Sequence, residues 1–366
     1  GSENDGYIYQ LGDQNIGDQF SKGDKNTTEI MQKDNLHRAY QDQIGDRNKA
    51  VSSNGMFFTA TNMYTDQYQK GDRNTSRFEM QKGLSSKAYS DQIGNRNLDF
   101  LRVRGDYNMA DFDQKGDRNN ASAKQYGDRN YGKVLTIGND NKAGDAWSTG
   151  EFGFYQEGDY NFADVYQKGD MNTAYSKQLS SFNDLWIDQI GDGNYAWVGQ
   201  GLSGYTPDQN WADVYQKGDG NWAKVKQGND AERAEVDQIG NGNWALVDQY
   251  HGYNKATVYQ KGMDNYSYTG EFGYKNVVDV KSIGDDNVSN VKTSGDFNNV
   301  DVDQMGDGNM LGAQPYYGSG YWGGVDNLGV MIDGDHNKSS VYQKGNIHGA
   351  EVNITGDWNV SNVVQK

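Results

Sequence analysis

The chain of 366 residues contains no cysteine. No disulfide framework holds it together, and with no thiol the redox compartment cannot be read. It has two prolines against 48 glycines; proline cannot donate to a β-ladder, so its scarcity suits a chain that is nearly all strand. Large aliphatic residues are also few. Only 34% of residues are hydrophobic and mean hydropathy is −0.98, too little to fill the cores of the two or three globular domains that this length would otherwise suggest. No apolar run approaches the roughly 20 residues that span a bilayer, so no membrane insertion is expected. Cations are outnumbered, 34 Lys and Arg against 51 Asp and Glu, for a net charge of −17. That balance argues against nucleic acid or an anionic membrane face as partner. The N-terminus lacks a basic n-region and an apolar h-region, so any signal peptide is expected to have been removed. Gly1-Ser2 reads either as native or as a cloning remnant.

Such a composition taken alone fits disorder. The order of the residues does not, because disordered chains do not hold a period-2 register over hundreds of residues. Between Asn210 and Asn254 an Asn, two small apolar residues and a Gln recur at every second position: Asn210, Ala212, Val214 and Gln216, then Asn243, Ala245, Val247 and Gln249. Asn161, Ala163, Val165 and Gln167 repeat the pattern. Period-2 spacing puts these four residues on one face of a strand and Trp, Asp and Tyr on the other. A Gly-Asp-x arc, as at Gly169-Asp170 and Gly218-Asp219, leads to the next Asn. The template Asn-x-ψ-x-ψ-x-Gln-x-Gly-Asp-x, with ψ small or apolar, is about 11 residues long and runs nearly end to end. A longer period of roughly 44 to 53 residues separates arcs written Gln-Lys-Gly from one another, and likewise arcs written Ile-Gly, which suggests growth by duplication of a two-turn block.

The spacing predicts an all-β fold: a two-sheet β-solenoid of strand–arc–strand turns with cross-β stacking, about 22 residues per turn and about 15.5–16 turns. One solenoid spanning 1–366 is expected, interrupted by extended arcs near 55–68, 139–149, 201–209 and 314–328. The two prolines, Pro207 and Pro315, fall in the last two of these, as expected of loops. Stacked at roughly 4.8 Å, the turns would make a rod roughly 75 Å long whose sheets lie about 10 Å apart, a gap that Ala and Val can close. Inner Asn and Gln would be costly if unpaired; stacking lets each bond its identical neighbour one turn away. Glycine in the arc permits backbone angles closed to other residues, and the following Asp suits a turn exposed to water.

The Gln-x-Gly-x-x-Asn-x-Ala periodicity resembles the curlin repeat of the curli fibre subunits, the secreted amyloid of bacterial biofilms. The likeness covers almost the whole chain, which would be a long, many-repeat member. It departs from the common pattern in placing Asp so often after Gly. The resemblance implies export through the outer-membrane curli secretion pore, nucleation by a minor subunit, and assembly outside the cell into adhesive fibres of the biofilm matrix. In the family a secretion segment precedes the repeats; here the repeat starts by Asn4, so that segment is expected to be trimmed or absent.

Both ends of the sequence read as good copies of the repeat, with Asn4, Ile8 and Gln10 at one and Asn359, Val363 and Gln365 at the other. Uncapped strand edges predict head-to-tail addition of further copies into a filament, each docked about half a turn round if the strand count is odd. The outward aromatics, among them Trp211, Trp222, Trp244, Tyr166, Tyr215 and Tyr259, are expected to form rows, either as cross-strand stacking or as a surface for carbohydrate or neighbouring fibres. The Asp-bearing arcs offer hard oxygen ligands for calcium, but the glycine-rich nonapeptide of calcium-binding rolls is missing. His37, His251, His336 and His348 stand at no metal-like spacing and read as incidental, so no metal or cofactor is expected. No nucleophile–base pair, phosphate loop or carboxylate pair stands apart from the repeat, which argues against an enzyme. The competing reading is a monomeric β-solenoid that binds a ligand, of ice-binding or adhesin type.

Overall fold

A computed structural model describes residues 3–55, 59–144, 154–202, 209–312 and 329–366. These residues form strands and turns without a helix. By contacts the chain, read from sequence as one span, divides into two compact units, Gly1–Gly193 and Asn194–Lys366. Each unit is a solenoid built the same way.

Within a unit, successive strands alternate between two parallel sheets. In the second unit, Trp211–Lys217 pairs with Arg233–Ile239, which pairs in turn with Lys255–Lys261. The other sheet holds Tyr195–Gln200, Trp222–Gln227 and Trp244–Tyr250. We call the latter the first sheet and the former the second. In the first unit the first sheet includes Asp5–Leu11 and Thr27–Lys33, and the second includes Ile16–Lys22 and Arg38–Ile44. Pairing is in register, each residue opposite its counterpart: Ala212 faces Ala234, and Val214 faces Val236. A one-residue slip would turn every inner side chain outward, so the burial pattern fixes this register. Along Trp211–Lys217 alternate residues are buried.

The core of each unit lies between its two sheets and is filled by Ala and Val, with larger residues such as Phe78, Phe112 and Leu185 where a repeat departs from the template. In the second unit Val278, Val280, Val291, Val300 and Val302 form one apolar cluster.

The two units together hold about 15 turns of roughly 22 residues, rather than 15.5–16. The difference lies in where the repeat is interrupted. Lys142–Ala143 and Phe154–Glu157 are two halves of one strand, since both lie against the strand Asn120–Tyr126. Met310–Leu311 and Val330–Asp333 likewise both lie against Val288–Ser294. The described halves on either side of 145–153 and of 313–328 therefore make one rung each rather than two, the first halves ending at Ala143 and Leu311. The excess near 55–68 ends earlier than expected: Tyr64–Lys70 is already in full register with Arg38–Ile44. Met63 stands where the template has Asn, which hid that strand in the sequence. Pro207 and Pro315, with most of the segments 201–209 and 314–328, lie outside the described residues.

These interruptions share a side. Each leaves a first-sheet strand or the arc that follows it. The arcs leading from second sheet to first, such as Gly218-Asp219-Gly220-Asn221, keep one length throughout the described residues.

Candidate functional site: amide ladders and arcs

The inner residues singled out from sequence all lie in the core. Asn161, Ala163, Val165, Gln167, Asn210, Ala212, Val214, Gln216, Asn243, Ala245, Val247 and Gln249 are buried. The glutamines bond as expected, side chain to side chain, one turn to the next. Gln216 Nε2 donates to Gln238 Oε1 at 2.8 Å and Gln238 Nε2 to Gln260 Oε1 at 2.9 Å. In the first sheet Gln227 Nε2 donates to Gln249 Oε1 at 3.0 Å, and in the first unit Gln167 Nε2 donates to Gln189 Oε1 at 2.8 Å.

Each glutamine also does something the periodicity did not announce. Its Nε2 reaches across the core to the main chain of the opposite sheet: Gln216 to the Tyr195 carbonyl at 3.0 Å, Gln238 to the Trp222 carbonyl at 3.0 Å, and Gln249 to the Arg233 carbonyl at 3.0 Å. One amide thus ties its turn to the next and its sheet to the other. Both Nε2 hydrogens are used, which satisfies a group whose burial would otherwise be costly.

The asparagines bond one turn to the next as well, Asn243 Nδ2 donating to Asn221 Oδ1 at 3.1 Å and Asn265 Nδ2 to Asn243 Oδ1 at 3.0 Å, but these are not their main bonds. Their ladder runs mostly from side chain to backbone. Asn221 Oδ1 accepts the main-chain N–H of Asn243 at 3.1 Å, and Asn221 Nδ2 donates to the Gly240 carbonyl at 2.7 Å. Asn243 Nδ2 donates likewise to the Gly262 carbonyl at 2.9 Å; Asn161 Oδ1 accepts from the Asn183 main chain at 3.1 Å, and Asn210 Oδ1 from that of Glu232 at 2.9 Å. The shorter side chain stands where strand meets arc, so the nearest partners are arc groups that the ladder leaves open.

The arcs are more constrained than a solvent-exposed turn. Gly169 and Gly218 have φ of 113° and 117°. A Cβ on either would lie 2.1 or 2.2 Å from the carbonyl oxygen of Gly191 or Gly240, one turn on. The glycine is therefore required by the stacked neighbour as well as by its own dihedral. The residue after it accepts a hydrogen bond: Asp192 Oδ1 takes the main-chain N–H of Asp170 at 2.8 Å, and Asn241 Oδ1 takes that of Asp219 at 2.8 Å. Only an Oδ1 is needed, which explains why Asp and Asn interchange there. Among the described residues no group of three or more His, Asp or Glu could hold a metal ion.

At the outer rungs Ile8 is exposed. Gln10 Nε2 donates to Gln32 Oε1 at 2.7 Å, and Asn4 Oδ1 accepts the main-chain N–H of Asn26 at 2.9 Å. Asn359 N–H donates to Asn337 Oδ1 at 2.8 Å, Gln365 Oε1 accepts from Gln343 at 2.8 Å, and Val363 lies opposite Val341.

The aromatic rows are real only in part. Trp222 and Trp244 stack with centroids 4.6 Å apart, and Trp244 stacks on Tyr266 at 4.3 Å. Trp211 carries the Arg233 guanidinium over its ring. Tyr166, Tyr215 and Tyr259 form no such row, because an acid stands opposite them: Asp188 beside Tyr166, and Asp237 between Tyr215 and Tyr259.

Sequence reasoning passed over three buried carboxyls. Glu232 stands in an Asn position, Asp99 in the first Ala position, and Glu271 in a Gln position. Burial drives each upward: Asp99 and Glu232 to about 8, and Glu271 well above the usual carboxylate range. Ser90 donates to Asp99, and the Asn229 and Gly252 main chains donate to Glu232 at 3.3 Å. The histidines have places too. His37 is buried in an Asn position, its Nδ1 taking the Met63 main-chain N–H at 3.2 Å, and burial lowers its pKa. His348 fills another such position, donating its N–H to Asn309 Oδ1 at 3.2 Å, while His336 stacks between Phe297 and Trp358.

No curated protein matches the chain. The family model of the curlin associated repeat matches residues 116–144 and 228–262. The second match contains the strands Arg233–Ile239, Trp244–Tyr250 and Lys255–Lys261, with their Gln238, Gln249 and Gln260 ladder positions. The chain thus carries curlin associated repeats, and the likeness extends to the stacked strands that those repeats form.

Proposed function

We propose that the protein is a structural subunit of an extracellular, curli-like functional-amyloid fibre at the bacterial surface, growing by strand stacking and serving the biofilm matrix and adhesion. One observation carries this reading. Most rungs offer the next one the same set of groups, namely a strand edge in register, a Gln amide, an Asn Oδ1 and an arc carbonyl. The series from Gln216 through Gln238 to Gln260 is such a template. A further copy of the chain supplies those groups as well as a further turn does. Such a contact does not close on itself, and a filament results. The even pairing of strands into about 15 turns removes the reason for a half-turn rotation at each junction. Likeness to the curlin repeat supports the remaining partners, a minor nucleating subunit and an outer-membrane secretion pore. The role is structural, without catalysis.

The test is incubation of the purified chain at neutral pH, followed by electron microscopy and fibre diffraction. Dye-binding fibres with a meridional reflection at about 4.7–4.8 Å are expected, the strands lying across the fibre axis. Persistent monomers would overturn this reading.

A further inference from the structure

A row of cations interrupts the acidic surface of the first unit. Lys25, Arg47, Arg73, Arg96 and Arg118 occupy the same position, the third residue of successive arcs from second sheet to first, each with φ between 58° and 60°. They line a groove of about 510 Å³. In a chain of net charge −17, five consecutive cations share one position, set among the four aspartates Asp24, Asp46, Asp72 and Asp117 that line the same groove. Acids close the row at both ends: Glu3 pairs with Lys25 at 3.3 Å, and Asp140 accepts from Arg118 Nε at 2.6 Å. Among the described residues the three central guanidiniums, Arg47, Arg73 and Arg96, make no ion pair.

The groove is not simply cationic. Asp46 and Asp72 line it between the arginines. Each spends Oδ1 on a main-chain N–H of the preceding arc, at 2.7 and 2.8 Å, and keeps its second oxygen as an acceptor. A bare phosphodiester backbone offers nothing to those oxygens and is repelled by them. A polymer that carries both carboxylates and hydroxyls satisfies both parts, with its anions on the guanidinium forks and its hydroxyls donating to the aspartates. The cations recur once per turn, at the strand spacing of about 4.8 Å, so the ligand must be linear and must repeat its charge along its length.

We infer that this groove binds a linear acidic polysaccharide, with Arg47, Arg73 and Arg96 as its anion contacts and Asp46 and Asp72 as acceptors for sugar hydroxyls. The groove lies within one unit, so binding does not depend on fibre formation and is measurable on the unassembled chain. The probe is an oligogalacturonate, titrated calorimetrically into the full-length protein at low and high salt, beside a single-stranded oligonucleotide of equal charge. Binding that weakens with salt is expected for the oligogalacturonate, with the oligonucleotide markedly weaker. Joint Arg47→Gln, Arg73→Gln and Arg96→Gln substitution should weaken it roughly tenfold, the sum of three exposed charge contacts. The charge-matched set Lys168→Gln, Lys217→Gln and Lys261→Gln should leave it unchanged. The corresponding Arg→Lys set, which keeps the row of charge but loses the planar forks, should bind between the parent and the Gln set and guards against misfolding as the cause. Absence of oligogalacturonate binding, equal loss in the lysine control set, or an oligonucleotide bound as tightly as the sugar would each overturn the assignment.

Discussion

Gln249 donates through Nε2 to Oε2 of Glu271 at 2.7 Å, a carboxyl standing where neighbouring turns carry glutamine. Burial holds Glu271 protonated to a pH well above the usual value of 4.5. With Glu232 and Asp99, both raised to about 8, it makes the fold a net binder of protons. A carboxyl whose folded pKa lies above its unfolded one favours the native state fully below the unfolded value, and that advantage is lost as pH rises through the folded value. Stability should therefore decline between about pH 4.5 and 8. His37 works in the opposite sense, since its lowered pKa makes it destabilising when protonated. Glu271→Gln keeps the acceptor for Gln249 and removes the titration. Denaturant midpoints at pH 5 and pH 8 should lie closer together in the variant, which should be more stable than the parent at pH 8. Parallel curves for the two proteins would show that Glu271 is ionised in the fold.

Gln238 serves three partners, namely Gln216, Gln260 and the Trp222 carbonyl. Gln238→Ala leaves a buried donor and two buried acceptors unmet beside a void, and should cost about 3 kcal/mol. Asp237→Ala, the next residue and on the outer face, should stay within about 0.5 kcal/mol. Equal losses in thermal or denaturant unfolding would mean that the ladder contributes nothing beyond packing.

Gly218 and Gly220 share an arc but not a constraint. A Cβ at Gly218 would meet the Gly240 carbonyl at 2.2 Å, whereas one at Gly220 meets nothing within 4 Å. Gly218→Ala should cost about 3 kcal/mol, and Gly220→Ala only about 1 kcal/mol, the ordinary cost of the left-handed region. Positions equivalent to Gly220 already hold Arg47, Arg73 and Met171 at φ of 58° to 60°. Equal tolerance of the two substitutions would refute the steric account.

Trp244 stacks on Trp222 on one side and on Tyr266 on the other. Trp244→Ala removes both contacts and should lower stability by about 2 kcal/mol. Tyr215→Ala, flanked by Asp237 rather than by a ring, should lose less than half of that. Comparison of the two unfolding midpoints decides whether stacking along the ladder contributes beyond single-residue burial.

Period-2 spacing made the two-sheet solenoid legible, because burial follows the pleat: Asn221, Ala223, Val225 and Gln227 could be placed inside from their order alone. The bond from each inner amide to its counterpart one turn away was legible too, but its further partners were not. The alternation says that Gln238 faces inward, but not that its amide crosses to the Trp222 carbonyl, since the facing register of two sheets leaves no mark in one strand. The carboxyls were legible in principle. Counting back from Ala234, Val236 and Gln238 puts Glu232 at the Asn position, and the eye passes over it because a template search looks for the expected residue. The point at which 145–153 leaves the rung was obscured because Gly138-Asn139-Asp140 and Gly144 together look like one extended arc. The cation row was visible as Lys25, Arg47, Arg73, Arg96 and Arg118, but only once the arcs are stacked does a spacing of twenty-odd residues become a neighbourhood.

The two split strands carry a consequence for how such a chain can change. Between Ala143 and Phe154 the sequence departs from the repeat, yet Phe154–Glu157 closes against Ala123–Tyr126 as though nothing intervened. A rung is thus held by the rungs beside it rather than by its own continuity. A first-sheet strand can accept extra residues after its first inner residue while its two described halves keep the register of the neighbouring rungs. New surface chemistry can be acquired there, by evolution or by peptide grafting, without renegotiating the fold.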